Sequence, residues 1–202
     1  MQPTDILMME HRLIEQVLNC LEKITQQADA NKKLDKKSAR EAIDFCRSFA
    51  DGCHHAKEEA HLFPVMEANG FSGGCSPVAV MLREHELGRL YIQGMEAAVE
   101  AASTGDPEAL KWFVQHGQSY VKLLREHMHK EDTCLFPSDN HRLTENDQQQ
   151  ILTAFEKVEA EKIGKGTHEK YLTLANQLAD RFGVPRATIG QPDHDHGDGL
   201  GH

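Results

Sequence analysis

The chain has 202 residues, of which 32 are acidic and 22 are basic, so its formal net charge is −10. This length fits one domain with short appendages, and the acidic balance argues against nucleic acid and anionic membrane surfaces as binding partners, since both attract basic proteins. Histidine is abundant, with 13 residues against 8 Phe, 3 Tyr and 1 Trp. This surplus of imidazole makes metal binding the first hypothesis to test.

The cysteines and the chain start bear on the cellular compartment. The 5 cysteines include no C-x-x-C pair, which is typical of reduced thiols rather than of a disulfide framework or a zinc knuckle. No apolar run approaches the roughly 20 residues that a membrane span requires, and the first residues lack the layout of a signal peptide. We therefore expect a cytoplasmic protein.

Turn residues divide the chain into long segments whose apolar residues recur at helical spacing, and strand patterns are sparse. The predicted helices run from about Thr4 to Ala28, Ser38 to Ala68, Ser76 to Ala102, Asp106 to Leu135, Thr144 to Lys162 and Thr167 to Phe182. Pro64 should kink the second helix, and the fourth should end before Pro137, because proline lacks the backbone N–H that a helix interior requires.

The fold class that these elements predict is all-α. The first four helices fit an antiparallel up-down four-helix bundle over residues 1–140. Two extra C-terminal helices would form an extension over residues 141–183. Residues 184–202, rich in His, Asp and Gly, are expected to form a flexible tail.

An internal repeat relates the two halves of the predicted bundle. Residues 54–64 and 127–137 are identical at six of eleven positions at an offset of 73, and residues 10–13 match 84–87 in part at an offset of 74. Each half therefore contains a lone His followed by an H-x-x-x-E motif. The repeat predicts two helical hairpins of one design, related by a pseudo-two-fold axis.

Each H-x-x-x-E motif places a nitrogen and an oxygen ligand on one helix face, because residues four apart differ by only about 40° around the helix axis. The two pairs are His54 with Glu58 and His127 with Glu131. The lone histidines, His11 and His85, share inward faces with apolar residues. Buried carboxylates without cations are costly, and these faces supply too few Lys and Arg to pair them, so a metal would remove the cost.

A second His/Glu pair is also possible in the first motif, since His55 and Glu59 lie four residues apart. Their counterparts in the repeat are Met128 and Asp132, which cannot make the same pair. Only the pairing that starts at His54 is common to both halves. Four His and two Glu without thiolate suit two metal ions a few ångströms apart, with iron favoured and manganese or zinc as alternatives.

These motifs resemble the haemerythrin-like (HHE cation-binding) family, whose signature is a lone His, an H-x-x-x-E, a second lone His and a second H-x-x-x-E on four antiparallel helices. The resemblance covers about residues 4–137. It implies a non-haem di-iron centre with oxo or hydroxo and carboxylate bridges, in which Glu58 and Glu131 bridge. The implied ligands are His11, His54, Glu58, His85, His127 and Glu131.

The sequence departs from the oxygen-carrying members of that family, which have H-x-x-x-H on the third helix and H-x-x-x-x-D on the fourth. Here Arg89 stands four residues after His85, so one terminal imidazole is missing. His55 is the candidate seventh ligand; otherwise water or substrate takes the place. Asp132, five residues after His127, stays open as an alternative to Glu131.

The resemblance implies a protein that binds or reduces a small oxidant or diatomic ligand, namely O2, H2O2 or NO, in oxidative or nitrosative stress or in iron handling. A di-iron enzyme of peroxidase, catalase-like or NO-detoxifying type stays open, and so does a non-catalytic carrier or sensor with the same metal site. The helices after Thr144 could add a surface for a protein partner.

Overall fold

Six helices account for the regular structure in the computed structural model, which describes residues 1–71, 76–140, 142–158 and 167–188. They are α1 (Pro3–Asn31), α2 (residues 36–68), α3 (Pro77–Ser103), α4 (residues 107–140), α5 (Glu145–Val158) and α6 (Thr167–Phe182). The all-α prediction is confirmed, and these residues contain no strand. The predicted end of the fifth helix near Lys162 and residues 189–202 of the predicted tail lie outside the described ranges.

The helix starts follow the capping signals of the sequence. Ser76 accepts a hydrogen bond from the backbone N–H of Ala79 at 3.1 Å, and Asp106 accepts two at 2.9 Å from Glu108 and Ala109. Proline occupies the first turn of α1, α3 and α4, where its missing N–H costs nothing. These local signals fix where α3 and α4 begin and therefore which of their residues face inward.

Helices α1 to α4 form a four-helix bundle in which each helix packs against the next and α4 packs back against α1. The two C-terminal helices lie on its outside. Tyr171 and Leu178 of α6 join the larger hydrophobic core, while Ile151 and Phe155 of α5 join a smaller one. Among the described residues, no helix combines the length and the apolar content needed to cross a membrane.

Widened helical turns interrupt α2 and α4 at corresponding places. Glu58–Leu62 and Glu131–Leu135 are π-helical, and each lies directly before a Phe-Pro pair. The N–H of Phe63 bonds the carbonyl of Glu58, five residues earlier, and Phe136 bonds Glu131 in the same way. A π turn rearranges the hydrogen bonds just where proline lacks its N–H.

The helix therefore passes through both prolines. The predicted end of the fourth helix before Pro137 is wrong, because α4 continues to Asn140. In α2, the disturbance expected at Pro64 takes the form of the π turn that precedes it. A further π-helical stretch, Cys46–His55, contains His54, the first residue of the first H-x-x-x-E motif. Single π turns in α-helices often mark functional sites.

Candidate metal centre

The predicted ligand residues lie in the interior of the bundle, where they separate the two hydrophobic cores. On α1, Leu7 belongs to the smaller core and Leu13 to the larger one, and His11 lies between them. On the other three helices too, the candidate ligands lie between residues of the smaller core and residues of the larger one. Each of the seven candidate ligands is at most 3% exposed: His11, His54, His55, Glu58, His85, His127 and Glu131.

The structure brings these residues together in two groups that share a carboxylate. The first group is His11, His54, Glu58 and Glu131, and the second is His55, Glu58, His85 and His127. Within each group, one potential ligand atom from every residue lies within 4.8 Å of the others. All seven side chains predicted from the sequence are therefore present in one buried cluster with room for cations.

Both glutamates extend across the two groups. Glu58 directs Oε1 towards His54 Nε2 at 3.5 Å and Oε2 towards His85 Nε2 at 3.4 Å. Glu131 directs Oε2 towards His11 Nε2 at 3.3 Å and Oε1 towards His127 Nε2 at 3.2 Å. Each carboxylate thus has one oxygen in each group, which is the arrangement that a bridging ligand requires.

The four repeat histidines all point the same ring atom inward. Their Nδ1 atoms lie 2.7–3.0 Å from outer carboxylates, in the pairs His11–Asp132, His54–Glu10, His85–Glu59 and His127–Glu84. An Nδ1–H that donates to a carboxylate leaves the lone pair on Nε2. The inward Nε2 atoms then converge, at 3.0 Å between His11 and His54 and at 3.1 Å between His85 and His127. Two facing lone pairs would repel each other, so either a proton on one of the two nitrogens or a metal ion between them is needed.

The outer carboxylates repeat with the same offsets as the ligands. Glu10 and Glu84 are related by 74 residues, and Glu59 and Asp132 are related by 73. Their role was not predicted from the sequence, because the inward helix faces alone do not include them. The repeat carried the signal, since an acidic residue occupies these positions in both halves.

Lysine and phenylalanine side chains complete the repeated surroundings. Lys57 donates to Glu10 at 2.6 Å, and Lys130 donates to Glu84 in the same way. Phe136 stacks on His11 and Phe63 stacks on His85, each at 5.8 Å between ring centroids. The Leu-Phe-Pro sequence shared by the two halves therefore supplies an aromatic wall to each lone histidine.

The buried charges shift the pKa values of the cluster in the directions that its contacts predict. Burial alone would raise the pKa of Glu10, but His54 and Lys57 lower it to about 2. Burial alone would lower the pKa of His11, but Asp132 and Glu131 raise it to about 9. Burial likewise works against protonation of His127, yet Glu131 and Glu84 raise its pKa to about 10. Without a metal, protons therefore supply the positive charge that these carboxylates demand.

Several inward atoms make no hydrogen bond within the described residues. They are both carboxylate oxygens of Glu58, both of Glu131, and Nε2 of His55. Buried polar atoms are almost always hydrogen-bonded, and a carboxylate without partners is costly to bury. These atoms belong to imidazole and carboxylate, which are ligands for iron, manganese and zinc. The residues present therefore fit a bound cation.

His55 makes the two groups unequal. Its ring stacks on His85 at 3.8 Å between centroids, and its Nδ1 lies 3.3 Å from Asp51. Burial and the neighbouring His85 keep its pKa well below the ordinary value, so the ring is neutral. The repeat counterpart of His55 is Met128, also buried. One group therefore contains three imidazoles, and the other contains two.

Arg89, four residues after His85, lies one layer outside the cluster. Its Nε donates to Asp51 at 2.9 Å, and its guanidinium also donates to Glu59 at 2.6 Å. These two carboxylates contact Nδ1 of His55 and His85. The arginine thus fixes the partners of two candidate ligands. Neither Asp51 nor this role of Arg89 was predicted from the sequence.

Asp132, the alternative to Glu131, lies elsewhere. Its Oδ1 contacts the outward Nδ1 of His11 at 2.7 Å, on the opposite side of the ring from the cluster. The inward position next to His127 belongs to Glu131. The geometry therefore favours the pairing that the repeat predicts.

The comparisons with known proteins agree with this geometry. Residues 2–138 match the family model described as the hemerythrin HHE cation binding domain. Uncharacterised proteins of Mycobacterium bovis and of two strains of Mycobacterium tuberculosis are each 22% identical over 179 residues, which is 88% of this chain and 69% of theirs. No solved structure matches the chain significantly. The family match spans every candidate ligand, and the chain belongs to the hemerythrin HHE cation-binding domain family.

Proposed function

We propose that this protein holds two iron ions and uses them to bind or reduce a small oxidant or diatomic ligand, namely O2, H2O2 or NO. The observation that carries the proposal is the pair of buried His/Glu groups that share Glu58. Two adjacent groups with a common carboxylate suit a two-metal site better than a single ion. Manganese and zinc accept the same donors, so the metal itself is part of the test.

The ligand assignment follows from the directions of the side chains. His11 and His54 would hold one ion, and His55, His85 and His127 the other, with Glu58 and Glu131 bridging the two. When bound, the iron pair would supply electrons and open coordination positions for the small molecule. The chain itself supplies the fixed imidazoles, held from outside by their four carboxylate partners.

The unequal groups indicate where the small molecule binds. The group of His11 and His54 has one imidazole fewer, and the counterpart of its missing histidine is Met128. The counterpart of Asp51 is Leu124, which is also buried. Met128 therefore replaces the imidazole, and Leu124 replaces the carboxylate that would orient it. This side of the centre suits a small, uncharged ligand and excludes bulk water.

One reconstitution experiment separates an enzyme from a carrier. The metal-free protein is loaded anaerobically with ferrous iron, and O2, H2O2 and NO are added in turn while the visible spectrum and the consumption of each are recorded. Catalytic consumption of H2O2 or NO identifies an oxidoreductase, and a stoichiometric, reversible change identifies a carrier or sensor. An iron-loaded protein whose spectrum responds to none of the three contradicts the proposed function.

The cysteines fit the proposed location in the cytoplasm. Cys20, Cys46 and Cys134 are free thiols in the structure, and the first two are buried. Burial raises the pKa of Cys20 to about 11 and that of Cys46 to about 12. The thiolate is the reactive form, so the raised pKa values disfavour reaction at these two thiols, and we assign the redox chemistry to the metal centre.

A further inference from the structure

The outer surface of the second hairpin, formed by α3 and α4, exposes several large apolar side chains. Leu90 is 60% exposed, Trp112 is 53% exposed and Leu87 is 38% exposed; Tyr91, beside them, is half-buried. We refer to these four residues as the Trp112 face. The ring of His116 lies against both Tyr91 and Trp112 and so links the two helices of this face. A contiguous exposed apolar patch is typical of a binding surface.

The internal repeat shows what happens at the equivalent place on the first hairpin. The counterparts of Leu87, Leu90 and Tyr91 are Leu13, Gln16 and Val17 on α1, and the counterpart of Trp112 is Ala39 on α2. All four counterparts are at most 3% exposed. The same location is therefore buried in one half of the bundle and open in the other.

Helix α6 is the element that covers the first hairpin. Its Tyr171, Ala175, Leu178 and Ala179 share one hydrophobic cluster with Leu13, Val17 and Ala39. Gln16 donates to Asn176 at 3.2 Å, and Arg181 donates to Ser38 at 2.7 Å. No equivalent helix lies on the second hairpin in the part of the chain that the structure describes.

At two of the equivalent positions, the exposed residue is larger and more apolar than the buried one. Exposure alone would favour the opposite. The covered position Gln16 corresponds to the exposed Leu90, and the covered Ala39 corresponds to the exposed Trp112. The open face is thus larger and more apolar at these positions than the covered one. Such a face gains free energy when another surface removes it from water.

The charges around the Trp112 face indicate what kind of partner would cover it. On α3 from Leu82 to Ala97 and on α4 from Glu108 to Glu126, the exposed charged residues are Arg83, Lys111 and Lys122 against Glu86, Glu108 and Glu126. The face is therefore neutral, whereas the whole chain carries −10. A neutral, mixed-charge border around an apolar centre is compatible with an identical copy, while the rest of the acidic surface repels one.

We propose that the Trp112 face binds the same face of a second copy of this chain. A two-fold axis would place the identical patches against each other, as in most homodimers. Leu90 and Trp112 would lie at its centre, since buried aromatic and aliphatic anchors dominate such interfaces. The proposal does not depend on the metal.

Trp112 itself reports on the interface, because it is the only tryptophan in the chain. Analytical ultracentrifugation of the full-length protein should give the mass of a dimer. On dilution, the mass should fall to that of a monomer while tryptophan emission shifts to longer wavelength as the indole enters water. Leu90→Glu should weaken the dimer by at least about tenfold, so the change to monomer mass and long-wavelength emission should occur at a protein concentration at least about tenfold higher than in the natural protein.

Leu82→Glu is the matched control. Leu82 is a leucine of the same helix with 37% exposure, but it lies about 80° around the helix axis from Leu90. This variant should remain dimeric, and circular dichroism checks that both variants fold. A natural protein that has the mass of a monomer at all concentrations overturns the proposal, even if another molecule binds the Trp112 face. A Leu90→Glu dimer that dissociates at the same concentration as the natural dimer also overturns it, as does equal weakening in the two variants.

Discussion

At the scale of single residues, the orientation of each candidate imidazole ligand is set by a carboxylate outside the cluster. The four repeat histidines each hold a carboxylate on Nδ1 and direct Nε2 inward. Such outer partners fix the tautomer and the angle of a metal-binding imidazole. His55 has a weaker tie, a 3.3 Å contact to Asp51, and depends on Arg89 to hold that carboxylate in place.

Arg89 is therefore expected to control metal affinity without contacting the metal. In Arg89→Gln, Asp51 and Glu59 lose their shared cation, so His55 and His85 lose orientation. Loss of such outer contacts lowers metal affinity by about 10- to 100-fold. Competition with a chelator on metal-loaded protein measures the change, and we expect it to affect the ion held by His55, His85 and His127.

The control for Arg89 is Arg83→Gln on the same helix. Arg83 is exposed, and its Nε donates to the backbone carbonyl of Ala79. This variant should keep the metal affinity of the natural protein. Equal affinities in all three proteins would contradict the role assigned to Arg89.

The two lysines of the repeat make a second prediction, because their surroundings differ. Lys57 is fully buried beside Glu10 and lies 5.6 Å from the ring of Phe155 on α5, whereas Lys130 is 39% exposed. Removing one partner of a buried ion pair costs about 3–5 kcal/mol, and an exposed pair contributes about 1 kcal/mol or less. Lys57→Met should therefore lower the free energy of unfolding far more than Lys130→Met.

Urea denaturation of the metal-free proteins measures this difference directly. Methionine keeps the length and apolar stem of lysine, so the comparison isolates the charge. Equal losses of unfolding free energy in the two variants would show that α5 does not isolate the Lys57–Glu10 ion pair from water.

At the scale of secondary structure, helix positions were more predictable than helix continuity. Ser76 and Asp106 cap α3 and α4 as their sequence patterns predict, because capping depends on a few adjacent residues. The π turns before Pro64 and Pro137 were not predicted, since a hydrophobic spacing of 3.6 residues does not reveal a change of hydrogen-bond register. The helix after Pro137 was missed for the same reason.

Helix α6 offers a prediction about packing. Leu178 is fully buried between α6 and the first hairpin, so Leu178→Ala removes apolar contacts and leaves a cavity. Such substitutions cost about 2–5 kcal/mol. The neighbouring Gln177 is exposed, and Gln177→Ala should change the free energy of unfolding by no more than about 0.5 kcal/mol.

Thermal or urea unfolding of both α6 variants provides the measurement. A Leu178→Ala protein as stable as Gln177→Ala would mean that α6 adds nothing to the bundle. The comparison of the covered first hairpin with the open second one would then no longer support a binding role for the Trp112 face.

At the scale of the whole molecule, the duplicated sequence explains both what the two halves share and where they differ. Ligands, outer carboxylates and aromatic walls repeat, so the inward residues could be predicted from the repeat alone. The replacement of His55 by Met128 is also visible in the repeat, whereas the cover by α6 could not be predicted, because it depends on tertiary contacts that only one half makes. Asp51 and Arg89 act together from α2 and α3, and no local pattern links them.

The central claim is that one chain holds two iron ions in the buried cluster. Iron is determined by mass spectrometry after anaerobic loading of the metal-free protein with ferrous iron and removal of the excess, with the visible spectrum recorded before and after H2O2. The account predicts close to two iron ions per chain in the natural protein and loss of the centre in His54→Ala, which removes a ligand on the side with fewer imidazoles. Less than one iron ion per chain in the folded natural protein would contradict it.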